Sequence, residues 1–428
     1  MTVSSEATLT VRQDRRLIRP TSHSKRFLLA RIVAPRATSE RPRPPVNLAI
    51  VLDRSGSMSG EKLRVAKLAI EEAIGRLQPE DRFSVVVYDD VVDVVIESTT
   101  ASAESRRGAI DRLATIQARG STNLGEGWLR GCEQVAGHLA DLGVNRCLLL
   151  TDGLANVGIT DVEQLSHHAA ELRARGVTTS TFGVGNDFDE RLLQELADAG
   201  GGHFYYIADA PQIRDAITSE VGETLEIVAR DVNLEVTARD DIRVESISPY
   251  RVTSTGNRTL VALGDLASEQ VVEVVLRLSF PYGLLSRETG TIVTLTDRDG
   301  AFAAGAGVME SRLAWTYADD RANDDQPRDR DVDRAVARLF AARARQEAVG
   351  RNRQGDYAGA RRILDATASR IRGYAGDDPT LRELLGTMVR EEMVYAAPMA
   401  EPARKQAHFA SANALRSRDA AGRSVRRG

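Results

Sequence analysis

Two hydrophobic patterns alternate through the middle of the chain. Between residues 47 and 225, short continuous apolar runs are followed by longer segments in which apolar residues recur every three or four positions. The first pattern is typical of strands that are buried on both faces of a parallel sheet, and the second of amphipathic helices. This alternation predicts a doubly wound α/β domain with a mostly parallel sheet.

The predicted elements of this domain can be placed along the sequence. Strands are expected at 47–53, 82–88, 91–97, 147–152, 177–183 and 203–207. Helices are expected at 61–77, 105–116, 124–142, 161–175, 189–199 and 210–225. Only a short turn separates the second strand from the third. The third strand must therefore run antiparallel to its neighbour, because parallel neighbours need a long crossover connection.

A different pattern flanks the α/β domain, with short runs in which apolar and polar residues alternate. Such strands without intervening helices predict a β-sandwich. They are expected within 7–34 and at 232–236, 259–263, 272–276, 291–295 and 301–308. Both ends of the α/β domain are expected at one edge of its sheet. We therefore predict that residues 1–43 and 227–316 form one sandwich, with the domain of residues 44–226 inserted between its strands.

The residues after the predicted sandwich differ again in composition and hydrophobic pattern. Residues 317–331 are polar and predict a linker, and residues 332–428 have helical periodicity. The end of this region, from residue 416 to residue 427, is basic and rich in small residues, so we expect it to be disordered.

Composition narrows the functional classes. The 428 residues carry a formal net charge of −4, which argues against nucleic acid as the main partner. Cys132 and Cys147 fall in a predicted helix and a predicted buried strand, so we expect two free thiols. We find neither the apolar core of a signal peptide nor the ~20 apolar residues of a membrane span, and expect a cytoplasmic protein. Abundant Arg and Ala beside scarce Lys predict a bacterial source.

Three loops of the predicted α/β domain carry side chains with oxygen atoms. The residues concerned are Asp53, Ser55, Ser57, Thr122 and Asp152. Following the direction of the chain places all three loops at the same edge of the sheet, where open α/β folds bind their ligands. Hydroxyl and carboxylate oxygens suit a hard cation such as Mg²⁺ or Mn²⁺. An isolated Asp-x-Ser-x-Ser fits a helix cap and a solvated loop equally well, but the other two loops favour a metal site.

These five residues resemble the metal-ion-dependent adhesion site (MIDAS) of the von Willebrand factor type A (VWA) family. In that family the first motif supplies one Asp and two Ser, a second loop supplies Thr and a third supplies Asp. All five positions match here. The resemblance covers about residues 45–225 and implies a bound Mg²⁺ or Mn²⁺, with Ca²⁺ as a further candidate. It also implies that the hydroxyls bind the ion directly, while the aspartates act largely through water.

The resemblance implies a function as well. An ion with an open coordination position can capture a Glu or Asp of a partner protein, so we expect a metal-dependent protein-binding module, an adhesion or scaffold protein. The alternative is an accessory subunit of an AAA-type ATPase system, as some bacterial VWA proteins are. A Mg²⁺-dependent hydrolase is disfavoured, because no His, Lys or further carboxylate cluster is expected near the motif loops as a general base.

Two further residues are relevant to the site. Asp187 follows the predicted strand 177–183 at the same edge of the sheet, so we expect it to border the ligand site. None of the six histidines is at metal-ligand spacing with a partner, and His203 is expected to be structural.

Overall fold

The computed structural model describes residues 7–38, 43–140, 143–239, 241–303 and 308–427. Its strands are β1 (Thr8–Gln13), β2 (Leu17–Ile18), β3 (Ser24–Val33), β4 (Val46–Asp53), β5 (Arg82–Tyr88), β6 (Val92–Thr100), β7 (Val144–Thr151), β8 (Val177–Val184), β9 (Gly201–Ile207), β10 (Ile227–Ala238), β11 (Arg243–Ser246), β12 (Arg251–Thr255), β13 (Arg258–Ala267), β14 (Val271–Phe280), β15 (Glu288–Thr296) and β16 (Met309–Tyr317).

The α-helices are α1 (Glu61–Gly75), α2 (Ala103–Ala114), α3 (Leu124–Ala136), α4 (Val162–Ala174), α5 (Glu190–Gly200), α6 (Gln212–Leu225), α7 (Asp320–Asp325), α8 (Arg330–Arg353), α9 (Tyr357–Ala375), α10 (Pro379–Tyr395) and α11 (Glu401–Leu415). The helix predicted over 124–142 is shorter than expected. It ends before Gly137, and the chain then turns as the Asn145 side chain accepts a hydrogen bond from the backbone N–H of Ala140.

The predicted mostly parallel sheet is confirmed. Its strand order is β6-β5-β4-β7-β8-β9, and only β6 runs antiparallel to its neighbour. Every residue of β4 and β7 is buried, as the continuous apolar runs of these strands predict. The two strands are direct neighbours, so their carboxyl ends bring Asp53 and Asp152 to the same edge.

Helix α3 lies unusually close to this sheet because two glycines face it. A Cβ atom added at Gly127 would lie 2.6 Å from ring atoms of Tyr88, and one at Gly131 would lie 2.2 Å from Cγ2 of Val51. Both distances are shorter than van der Waals contact, so any larger side chain would push the helix away from the sheet. Since α3 begins at Leu124, two residues after Thr122, this close packing also positions the Thr122 loop.

The segments before and after the parallel sheet form two further sheets with one hydrophobic core. One sheet has the order β1-β3-β14-β11 and the other β12-β13-β10-β15-β16-β2. Strand β14 pairs antiparallel with β3, from Val271 opposite Val33 to Phe280 opposite Ser24. Buried residues of both sheets share the core.

The strand predicted at 301–308 is wrong over its described residues. Residues 301–303 belong to a turn, because the Asp297 carboxylate accepts hydrogen bonds from the backbone N–H groups of Ala301 and Phe302. Residues 304–307 lie outside the described ranges. The last strand is β16, and part of the predicted linker after it forms the short helix α7.

The predicted C-terminal helical region is confirmed. Helix α8 packs on α9, on α11 and on the outer face of the smaller sheet, where Val332 and Val336 meet Leu29 and Val275. Of the helices that the structure describes, none is both long and apolar enough to cross a membrane.

The expectation that residues 416–427 are disordered is wrong. The Arg418 guanidinium donates to the Glu223 carboxylate over 3.0 Å, and the Ser424 backbone N–H donates to the same carboxylate over 2.7 Å. The backbone carbonyl of Val425 then accepts a hydrogen bond from the N–H of Val271, the first residue of β14. The basic composition suggested a solvated tail, but its charge has a buried carboxylate as partner, which the local sequence cannot reveal.

Candidate metal centre

The three loops that carry the predicted site residues contact one another directly. The backbone N–H of Gly56 donates to the carbonyl of Gly120 over 3.2 Å, which joins the first loop to the second. Thr122 is joined to the third loop by two hydrogen bonds with Asn156, one through the Asn156 side chain and one through its backbone. The geometry at the sheet edge is therefore held by backbone groups together with the Asn156 side chain.

The five predicted side chains come together at this edge. The Ser57 hydroxyl donates to Asp152 Oδ1 over 2.6 Å, and Ser55 Oγ lies 3.1 Å from Ser57 Oγ. Asp53 Oδ1 accepts from the Ser55 backbone N–H, and its Oδ2 accepts from the Thr151 hydroxyl, each over 2.7 Å. Ser57 is exposed and the other four are buried, so the cluster opens to solvent on the Ser57 side.

Gly153 keeps the space between the loops open. A Cβ atom added at Gly153 would lie 3.3 Å from Thr122 Oγ1 and 3.8 Å from Ser57 Oγ. The hydroxyls of the first and second loops therefore face the same small volume, which a side chain at this position would fill. Two carboxylates and three hydroxyls around such a volume fit a hard divalent cation.

Electrostatics at the site also favour a cation. Burial raises the pKa of Asp53 to about 6, hydrogen bonds from Ser55 and Thr151 oppose this shift, and the charge of Asp152 adds to it. The raised pKa means that the ionised form of Asp53 is under-compensated by the protein. A divalent ion between Asp53 and Asp152 would supply the missing positive charge.

Lys62 is the site residue that sequence reasoning missed, because a Lys was considered near the motif loops only as a general base. Its ammonium group donates to Asp152 Oδ2 over 2.5 Å and lies 3.5 Å from the Ser57 carbonyl oxygen. Lys62 is the second residue of α1, and side chains of a helix lean toward its N-terminus. The position of a long cationic side chain in that first turn was the available signal.

Asp187 lies on the exposed loop that follows β8. This loop approaches the site through Gly185, where an added Cβ would lie 3.6 Å from Lys62 Nζ. Between Asp187 and the five clustered residues, all of them described, the structure has no hydrogen bond or ion pair. That Asp187 borders a ligand site stays a prediction.

A second group of metal-ligand side chains lies at the opposite edge of the sheet. Ligand atoms of His203, Glu220 and Glu223 all lie within 4.8 Å of one another, which the spacing of the histidines in the sequence did not suggest. Burial would raise the pKa of Glu220, but Arg146, Arg418 and hydrogen bonds from neighbouring hydroxyls outweigh it and lower that pKa. Burial and nearby guanidinium groups lower the pKa of His203, so its imidazole is neutral. Because the protein already supplies the counter-charges, we assign this group a structural role.

Comparison with known proteins agrees with the geometry. The von Willebrand factor type A domain family matches residues 47–219. The uncharacterized protein YfbK of Escherichia coli is 33% identical over 220 residues, which are 51% of this chain and 38% of YfbK. An uncharacterized protein of Synechocystis is 30% identical over 258 residues, 58% of this chain and 60% of that protein. The chain thus spans less than two thirds of either relative.

Solved structures extend the likeness in fold. A von Willebrand factor type A protein from Catenulispora acidiphila superposes with a TM-score of 0.69 at 18% identity and covers 94% of this chain and 99% of its own. At this identity the likeness speaks for the fold alone, and it includes the regions outside the parallel sheet. Residues 47–219 of this chain are therefore identified as a von Willebrand factor type A domain.

Proposed function

We propose that this protein binds Mg²⁺ or Mn²⁺ at the sheet edge and uses the ion to capture an acidic residue of a partner protein. The ligands would be Asp53, Ser55, Ser57, Thr122 and Asp152. The observation that carries the proposal is the cluster of two buried carboxylates and three hydroxyls from three loops, open to solvent at Ser57. The match of residues 47–219 to the VWA domain family supports it.

The proposed ligands differ in their surroundings: one is fixed by hydrogen bonds, and others face the volume beside Gly153. Asp53 is fixed by hydrogen bonds to both of its oxygens, so it supplies a negative charge of defined position. Ser57 and Thr122 face the volume beside Gly153, where they would act as neutral ligands. A bound ion would supply an electrophilic centre with an open position, and neutral ligands would leave it attractive to a carboxylate.

Binding explains the site better than catalysis. Lys62 is the basic group that the structure places at the site, and its ammonium is ion-paired with Asp152. A protonated, paired Lys cannot accept a proton from water, so it does not serve as a general base.

The experiment compares capture with turnover. The full chain is immobilised and exposed to native lysate with Mg²⁺, with EDTA, and with Thr122→Ala in place of the wild type. We expect a partner that is retained with Mg²⁺ and lost with EDTA, and a larger loss of capture than of ion binding in Thr122→Ala. A phosphatase and nuclease screen runs alongside. Metal-dependent turnover that Asp53→Ala removes, without a retained partner, would overturn the proposal.

We also propose that residues 7–34 and 227–316 form one β-sandwich into which the VWA domain is inserted. The pairing of β3 with β14 and the shared core support this arrangement. A polypeptide of residues 44–226 should then fold alone, whereas residues 232–316 should not, because β14 would lose its partner β3 and expose an unpaired edge. A soluble, cooperatively unfolding β domain from residues 232–316 would contradict the proposal.

A further inference from the structure

We propose that Lys62 is a built-in competitor of the divalent ion at this site. Its ammonium group balances Asp152 when the ion is absent, and the ion binds only by overcoming that ion pair. The inference rests on the proposed metal site and adds to it a residue that sets how tightly the ion is held.

The first support is that both carboxylate oxygens of Asp152 already accept hydrogen bonds. This carboxylate is fully buried, and each of its oxygens already has a donor. Oδ1 accepts from the Ser57 hydroxyl over 2.6 Å, and Oδ2 accepts from Lys62 Nζ over 2.5 Å. A hydroxyl can turn its lone pairs toward an ion, but an ammonium group has only donors and must move or repel the ion.

The second support is the charge balance. Asp53 and Asp152 contribute −2 and Lys62 contributes +1, so the site has a net charge of −1. A divalent ion would change this to +1 with Lys62 in place and to 0 without it. Arg54, which follows Asp53, and Arg119 are both paired with Asp89 and Asp93, so the charges of these four side chains cancel and do not alter the balance. Lys62 therefore opposes ion binding over a short distance in a largely buried site.

The third support is the position of Lys62 in its helix. It lies in the first turn of α1, where the helix dipole disfavours a cation. Its side chain is 30% exposed, so no tight packing holds it there. The attraction of Asp152 is what keeps the ammonium at the site, and the exposed part of the side chain gives it access to solvent.

A competitor of this kind has two effects of opposite sign. Without the ion, Lys62 stabilises the fold, because it partners a buried carboxylate. With the ion, Lys62 weakens binding, because two positive charges share one small site. The residue thus raises the free ion concentration at which the site fills. A Lys that merely held Asp152 in place for the ion would stabilise both states.

The test compares Lys62→Met with Arg64→Met in the full chain. Arg64 is the matched control: it lies on the same helix, its side chain is 62% exposed, and it pairs with Glu61. Mn²⁺ and Mg²⁺ affinity is measured by titration calorimetry, and the melting temperature is measured in EDTA. We expect Lys62→Met to tighten ion binding by at least about tenfold and to lower the melting temperature in EDTA. Arg64→Met should change affinity by less than about twofold.

A charge-keeping variant separates charge from shape. Lys62→Arg should bind the ion within about threefold of the wild type, because the positive charge remains. If Lys62→Met fails to fold, Lys62→Gln replaces it with the same expectation. Weaker or unchanged ion binding in the uncharged variant overturns the inference, and so does equal tightening in Lys62→Arg. If neither wild type nor the uncharged variant binds either ion, the metal site itself is overturned; wild-type binding without tightening overturns only the role of Lys62.

Discussion

The two edges of the parallel sheet each bury two carboxylates, and they differ in how the negative charge of these carboxylates is balanced. At the edge near the start of β7, Glu220 and Glu223 are paired with the guanidinium groups of Arg146 and Arg418. The side chains of these arginines are 5% and 3% exposed, so the cations are as buried as their partners. At the other edge, Asp152 is paired with Lys62, whose side chain is 30% exposed, while Asp53 accepts hydrogen bonds from the uncharged Ser55 N–H and Thr151 hydroxyl.

This difference shows why buried acids alone do not identify a metal site. The Glu220 and Glu223 edge has three potential ligands close together, yet its charge is balanced and its oxygens are satisfied. The Asp53 and Asp152 edge lacks one positive charge, and its hydroxyls face a volume that Gly153 keeps free. An ion would supply the missing positive charge at the Asp53 and Asp152 edge. At the Glu220 and Glu223 edge it would have to displace the groups that already pair with the carboxylates. The deficit in charge, together with open space, is the more informative sign.

The largest expected effect on stability comes from removing one partner of an ion pair at the Glu220 and Glu223 edge. Arg418→Ala would leave Glu223 buried without its guanidinium partner, and we expect a loss of about 3–5 kcal/mol in the free energy of unfolding. Urea denaturation of the full chain measures this loss. Arg423→Ala is the matched control, because Arg423 belongs to the same segment but forms an exposed pair with Asp419; its effect should stay within about 0.5 kcal/mol. Similar losses in both variants would show that the edge is not a closed ion pair.

A smaller effect is expected at the open edge. At an Mg²⁺ concentration ten times the dissociation constant, the ion should stabilise the wild type by about 1.4 kcal/mol, or roughly 3–6 °C in melting temperature. Asp53→Asn should abolish this shift while leaving the melting temperature in EDTA similar or higher, because it removes an under-compensated buried charge. Asp187→Asn, an exposed acid at the same edge, should keep the shift. Absence of any wild-type shift over millimolar Mg²⁺ would refute the site.

The smallest expected effect is on pH dependence and distinguishes the edges further. The pKa of Glu220 is lowered in the folded protein, so its contribution to stability is complete above the ordinary Glu pKa of about 4.3. That contribution is lost as the pH falls below this value through the folded-state pKa. Glu220→Gln should therefore flatten the decline in unfolding free energy below about pH 4.3. Glu72→Gln, at a solvent-accessible pair with Arg76 and Arg214, should leave the decline nearly unchanged. Equal slopes in wild type and Glu220→Gln would contradict the pairing.

The sequence was a good guide where the fold depends on local patterns. The apolar runs located β4 and β7, and the direction of the chain placed the Asp53, Thr122 and Asp152 loops at one edge. These predictions succeed because a strand buried on both faces has a distinct composition, and because crossover connections fix the direction of parallel strands. The juxtaposition of the five side chains follows from these two facts.

Local patterns failed where a distant or unexpected partner decides the outcome. Lys62 and Asp152 are ninety positions apart in the sequence, and Arg418 and Glu223 are separated by 195. No periodicity reports such pairs. In the same way, the apolar residues near 301 suggested a strand, but two hydrogen bonds to the Asp297 carboxylate close a turn there. Side-chain partners of this kind become visible only once the chain is folded.

The glycines of α3 connect the interior of the sheet domain to the choice of ion. Mg²⁺ takes its oxygen ligands at about 2.0–2.1 Å and Ca²⁺ at about 2.3–2.6 Å, so a few tenths of an ångström decide which ionic radius a rigid cage accepts. Gly127 and Gly131 set how close α3 lies to Tyr88 and Val51, and α3 begins just after the Thr122 loop. A methyl group added at either glycine would push α3 away from Tyr88 and Val51 without touching any of the proposed ligand oxygens. We therefore expect ion selectivity at the proposed site to depend on residues that would never contact the ion.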